Sequence, residues 1–161
     1  MKRRLVLLLL AIAPALHAAS FHATVTYVTD GDTLWVRPDG GGRTIELRLL
    51  DVDAPESCQP FGAQATQALR ARVLHAAVRV RTRGSDSYGR QLAHVEHRRE
   101  DVGRWLVANG YAWAMRFHGR PGKHGALEEQ ARRERKGLWA SPGALEPRLF
   151  RQRFGSCPAA R

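Results

Sequence analysis

Between residues 21 and 50 the chain alternates apolar and polar residues in three short runs, and the joins between them are turn residues. Phe21 to Thr29 places Ala23, Val25 and Tyr27 on one side. Thr33 to Arg37 is a second run rich in β-formers. Thr44 to Leu50 sets Ile45, Leu47 and Leu49 on one face and Glu46, Arg48 and Leu50 on the other. Asp30-Gly31-Asp32 and Pro38-Asp39-Gly40-Gly41-Gly42 break the alternation, so the pattern predicts a three-stranded antiparallel meander.

The rest of the chain supplies partners for that meander. Phe61 to Ala77 has helical composition, with Ala65, Ala68, Leu69 and Val73 near one stripe. Ala77 to Arg83 alternates as a fourth strand, with Val78 and Val80 inward, and Arg90 to His97 is a fifth. Val102 to Val107 is a second helix that Gly110 is placed to stop. Ala126 to Lys136 is a third, very polar helix, with Leu138-Trp139 as an apolar anchor behind Gly137. Five strands with a helix after the third and helices at the end predict an α+β fold, mainly β: a five-stranded barrel of the OB type with three helices. The domain is expected over residues 20–140, followed by an irregular tail over residues 141–161 with three prolines.

The first 19 residues do not fit that domain. Lys2, Arg3 and Arg4 precede an apolar run from Leu5 to Ala13, and Leu16-His17-Ala18-Ala19 offers small residues for cleavage. This is the layout of a secretory signal peptide, and the run is too short to span a bilayer as a helix. The expectation is a secreted or periplasmic protein, monomeric, with no stable membrane association after cleavage. In an oxidising compartment Cys58 and Cys157 are a natural pair, two free thiols being the alternative.

Charge narrows the partner. The chain holds 26 Lys and Arg against 15 Asp and Glu, and only three of the basic residues belong to the leader. A positive balance of this size favours a polyanion: nucleic acid, an acidic polymer or an anionic membrane. Two groups of side chains carry sharper signals. Asp30 and Asp32 flank Gly31, while Asp51, Asp53 and Glu56 follow the third strand, so a meander brings both clusters to one end of the sheet. Crowded carboxylates repel unless a proton or a hard cation lies among them, although Asp-Gly pairs are also ordinary turn chemistry. Arg48, mid-strand among apolar residues, and Arg90, at the start of the fifth strand, each need an anion or an exposed face.

Taken together, Val28-Thr29-Asp30-Gly31-Asp32-Thr33, Arg48-Leu49-Leu50-Asp51-Val52-Asp53-Ala54-Pro55-Glu56 and Asp86-Ser87-Tyr88-Gly89-Arg90-Gln91-Leu92-Ala93 resemble the staphylococcal nuclease family. Leu106 to Ala112 and Gly137-Leu138-Trp139 extend the likeness across about residues 22 to 140. The resemblance implies a calcium-dependent nuclease acting on single- or double-stranded nucleic acid and leaving 3′-phosphate ends. It implies Asp32 and Asp53 as calcium ligands, the carbonyl of Ala54 as a third, and Asp30 in an outer shell through water. Glu56 would activate the attacking water, Arg48 and Arg90 would bind the scissile phosphate, and Tyr88 would lie beside the nucleotide. Asp51, two residues before Asp53 and read on the same strand face, is expected to point to solvent. Cys157 is expected to pin the tail beside Glu56 through Cys58.

Two other classes compete. A nonenzymatic oligonucleotide-binding module on the same barrel would not need the acids and arginines, yet Asp32, Asp53, Glu56, Arg48 and Arg90 are all present. A histidine or zinc hydrolase is disfavoured because His94 and His97, three apart in a strand, point to opposite faces.

Overall fold

The computed structural model describes residues 20–157, so the leader read from residues 1–19 lies outside the described residues. Five strands, β1 (Ser20–Val28), β2 (Thr33–Pro38), β3 (Ile45–Leu49), β4 (Ala77–Ser85) and β5 (Gln91–His97), build the barrel sheet in the order β3-β2-β1-β4-β5, and a two-residue strand, Glu100–Asp101, adds beside β5. Neighbours in that order are antiparallel. A parallel pairing of β3 with β5, Leu47 opposite Gln91 and Leu49 opposite Ala93, closes the sheet into a barrel. Closure removes the open sheet edges that a free meander would present. The result is the OB-type barrel that the strand pattern predicts.

The inward faces are mostly those that alternation assigns. Leu47 and Leu49 of β3, Val78 and Val80 of β4, and Ala93 and Val95 of β5 are buried. β1 departs from the simple pattern. Its pairing with β2 shifts between Val25 and Tyr27, so a bulge turns Tyr27 outward and Val28 into the core. Period-two reading placed Tyr27 with Val25 because one extra residue in a strand is invisible to it.

Helix α1 (Gly62–Val73) lays Ala65, Leu69 and Val73 into the barrel, and Ala68 stays half-buried. Helix α2 (Val102–Ala108) starts at Asp101, whose carboxylate accepts the Arg104 N–H at 2.8 Å, and buries Val102, Leu106 and Val107. Beyond it Gly110 turns left-handed (φ +72°) against Lys136, where a Cβ would lie 2.2 Å from the Lys136 carbonyl oxygen. Helix α3 (Gly125–Arg133) and the 3₁₀ turn Gly137–Ala140 cover a second small core of Trp113, Ala131, Leu138 and Trp139.

A fourth α-helix, one more than the three expected, corrects the reading of the tail. Residues 147–154 form α4 (Pro147–Phe154), with Pro147 at the first turn and Gly155 at its end. Proline at that position costs no intrahelical hydrogen bond and its fixed φ suits the helix, so Pro147 starts order here. Three contacts seat α4 on the barrel. Cys58 and Cys157 are disulfide-bonded with Cα atoms 5.7 Å apart. The Gln59 side-chain amide donates to the Leu145 carbonyl. Arg116 bridges Glu128 of α3 (2.8 Å) and Glu146 (3.3 Å) at the head of α4.

Candidate active site

At one end of the barrel a cleft of about 520 Å³ is lined by Asp30, Asp32, Arg48, Ala54, Glu56, Tyr88, Arg90 and Arg151, among others. The β1–β2 turn supplies the first acids. Within it Asp30 Oδ1 accepts from the Asp32 N–H at 3.0 Å, and Leu49 N–H donates to the Asp32 carbonyl at 2.9 Å. That second bond continues the β2–β3 ladder, so the turn is fixed to the strand that carries Arg48. Gly31 makes the approach possible. A Cβ there would sit 2.6 Å from the Ala54 Cβ and 3.0 Å from that of Ala65. The glycine therefore serves close packing as well as the turn.

The two acid clusters meet through Arg48. Its Nη1 lies 2.7 Å from Asp32 Oδ2, and its Nη2 lies 3.1 Å from Asp53 Oδ1. Asp32 also accepts the Ala54 N–H at 2.7 Å and the Thr33 hydroxyl at 3.3 Å. Both carboxylates are only 5 % exposed. Burial pushes the Asp32 carboxyl up to about 8, and Asp30 and Asp53 add to the effect; Arg48 and the Ala54 N–H pull the other way without offsetting it. Burial is the main cause: a carboxylate taken out of water holds its proton more tightly.

Arg90 enters from the turn before β5. Its Nε lies 2.8 Å from Asp86 Oδ2, and its Nη1 donates to the Thr33 hydroxyl at 3.4 Å. Slight burial would raise the Asp86 carboxyl, but the Arg90 guanidinium and the N–H groups of Arg90 and Tyr88 hold it below the usual carboxylate range. Asp86 thus stays charged and orients Arg90. The Tyr88 ring, 82 % exposed, stands at the cleft mouth with the Arg90 guanidinium 5.3 Å from its centroid.

Glu56 lies beside Arg151, whose Nη1 donates to Glu56 Oε1 at 2.6 Å. The same guanidinium reaches Asp53 Oδ2 at 3.1 Å. The arrangement is one connected chain: Arg90, Thr33, Asp32, Arg48, Asp53, Arg151, Glu56. Among the described residues no three acid, histidine or cysteine side chains stand together as a ready cation cage. The guanidiniums of Arg48 and Arg151 lie between the carboxylates instead. The donor set itself, two buried carboxylates and a backbone carbonyl, is all oxygen, which suits a hard divalent cation.

Of the residues predicted from sequence, the fold brings Asp30, Asp32, Arg48, Ala54, Glu56, Tyr88 and Arg90 to one cleft, with Asp53 bonded to its arginines. Asp51 is not on the Asp53 face. Its left-handed backbone (φ +64°) turns its carboxylate away, toward Lys123 at 3.5 Å and His94 at 3.7 Å. Sequence reasoning missed Thr33 and Asp86 as supports, and it missed Arg151. The signal for Arg151 was the cysteine pair, which tethers the tail two residues after Glu56.

Gly31→Ala is expected to push the Asp30–Asp32 turn off Ala54. A misplacement of this kind costs about ten- to hundred-fold in kcat/KM, with overpacking of about 1–3 kcal/mol. Steady-state kinetics beside a denaturant titration checks it, and a variant with unchanged kinetics would show that the close contact does not position the acids.

A sequence model of the staphylococcal nuclease homologue family matches residues 46–141. The protein named ParB of Escherichia coli is 39 % identical over 145 residues, covering 83 % of this chain and 81 % of its own length. Micrococcal nuclease of Shigella flexneri is 37 % identical over 145 residues, covering 83 % and 82 %. An uncharacterized endonuclease of Haemophilus influenzae is 33 % identical over 128 residues, covering 80 % and 71 %.

Proposed function

The chain belongs to the staphylococcal nuclease homologue family, and from that premise we propose a calcium-dependent nuclease that cuts single- or double-stranded nucleic acid and leaves 3′-phosphate ends. Membership makes it a phosphodiester hydrolase. The finer reading takes it as a monomer, secreted or periplasmic once its leader is removed. One observation carries this reading: a single guanidinium, Arg48, touches both buried aspartates beside Arg90 and Glu56.

Asp32, Asp53 and the Ala54 carbonyl would hold the cation, with Asp30 behind them. Bound there, calcium supplies a fixed positive charge that lowers the repulsion between a phosphodiester and an incoming nucleophile. The chain's own residues do the rest. Glu56 takes a proton from the water that attacks phosphorus. As phosphorus becomes five-coordinate, negative charge grows on its equatorial oxygens. Arg48 and Arg90, already oriented by Asp32, Asp53 and Asp86, offset that growth more than they stabilise the ground state. The P–O bond to the 5′-oxygen breaks, that oxygen takes a proton from solvent as Glu56 releases the one it accepted, and the products are a 5′-hydroxyl and a 3′-phosphate. Tyr88 offers its exposed ring to the adjoining base.

Cleavage of single-stranded DNA by the leader-free protein is expected with calcium and not with chelator. Salt-sensitive binding without cleavage under any divalent ion would instead make the cleft a binding site for oligonucleotides.

A further inference from the structure

The guanidinium nearest the proposed general base comes from beyond residues 46–141, the span that the family model matches. Arg151 lies on α4, 95 residues after Glu56 in the chain, and reaches Glu56 at 2.6 Å and Asp53 at 3.1 Å. It lines the same cleft as Arg48, Arg90 and Tyr88. Its surroundings differ from those of Arg48. Arg48 is 13 % exposed and its two terminal nitrogens are taken by Asp32, Asp53 and the carbonyl oxygens of Leu49 and Val52. Arg151 is 37 % exposed, so its guanidinium can turn from the carboxylates toward the open cleft without unpacking the barrel.

Charge balance gives that turn a purpose. Asp32, Asp53 and Glu56 carry three negative charges when ionised, against the one positive charge of Arg48. With Asp30 beside them, a divalent cation would still leave this group one negative charge in excess, and Arg90 is already matched by Asp86. An incoming phosphodiester would then meet no net attraction at the centre of the cleft. A further fixed positive charge offsets that excess, and a planar guanidinium fits two phosphate oxygens at once.

We propose that Arg151 is a third phosphate-binding arginine of this active site, delivered by the C-terminal helix and held there by the Cys58–Cys157 disulfide. The proposal rests on the reading of the cleft as a phosphodiester site. In the structure Arg151 lies on the carboxylates; with cation and substrate present it contacts the substrate phosphate.

The test uses the full leader-free chain with Arg151→Ala and Arg151→Lys. KM and kcat are measured on a short single-stranded oligonucleotide, calcium affinity by calorimetry, and Tm by thermal scan. Arg151→Ala is expected to raise KM about ten- to hundred-fold, and Arg151→Lys to recover part of the loss. Calcium affinity is expected to hold or tighten, because the carboxylates lose a competing cation. The double variant Cys58→Ser, Cys157→Ser is expected to move KM the same way by a smaller factor; wild-type KM there would overturn the tether. An Arg151→Ala protein as active as wild type, or more active, would overturn the proposal and make Arg151 a bystander or a plug. Loss of calcium affinity and Tm together would also overturn it, by making Arg151 a strut for the carboxylates. Both results leave wild-type cleavage intact, whereas failure of the wild type to cut with any divalent ion would defeat the reading of the cleft itself.

Discussion

Replacing Arg48 by methionine is expected to lower stability and activity together, each by a large factor. Methionine keeps roughly the aliphatic stem of the side chain and removes the guanidinium. Asp53 would keep its contact with Arg151, but Asp32 would lose its ion pair and remain 5 % exposed beside Asp30. Above pH about 8, where Asp32 is ionised, breaking one side of this buried charge pair costs about 3–5 kcal/mol. Cleavage is expected to fall about 1,000-fold, because one of the two arginines proposed to face the growing charge on phosphorus is gone. Denaturant titration in chelator above that pH reads the first effect and steady-state kinetics with calcium reads the second. A variant as stable as wild type would mean that Asp32 takes a proton at no cost, and that Arg48 is not what holds the two aspartates together.

Glu56→Gln is the second large effect, and it should separate cleanly from the first. Glutamine keeps the shape and leaves Arg48, Asp32 and Asp53 in place. The expected result is a kcat lower by about 100- to 10,000-fold, with KM within a few-fold of wild type, as loss of a general base predicts. Tm is expected to change little, since Glu56 is partly exposed and Arg151 keeps Asp53 as a partner. Equal losses in kcat and in oligonucleotide affinity would assign Glu56 to substrate binding instead of proton transfer.

These two residues also mark how far the sequence could be read. Arg48 and Glu56 stand in a local pattern, a strand that ends in a run of acids, and alternation gave Arg48 a face of its own opposite Leu47 and Leu49. The barrel followed from the same period-two signal, because five short strands with buried alternate residues have few ways to close. What alternation could not supply was anything that breaks it. The bulge in β1 turned Tyr27 outward, and the left-handed residue Asp51 put it on the opposite side from Asp53. Helix α4 was hidden for a different reason. Pro147 was counted with its neighbouring prolines as a sign of irregular chain, although one proline in a first turn favours a helix. Arg151 could not be assigned before α4 existed, since its partners are nearly 100 residues away and only the cysteine pair hinted at the approach.

The parallel seam between β3 and β5 has a mechanical consequence. Arg48 sits on one lip of that seam, opposite Leu92, and Arg90 lies just before the other lip. The two lips are joined through the chain only by the long way round, past α1 and β4. A nucleic-acid phosphate gripped by both arginines would therefore act as a clasp across the barrel's last closure. Substrate and scaffold then support one another: whatever parts the seam drops the phosphate, and whatever holds the phosphate keeps the barrel shut.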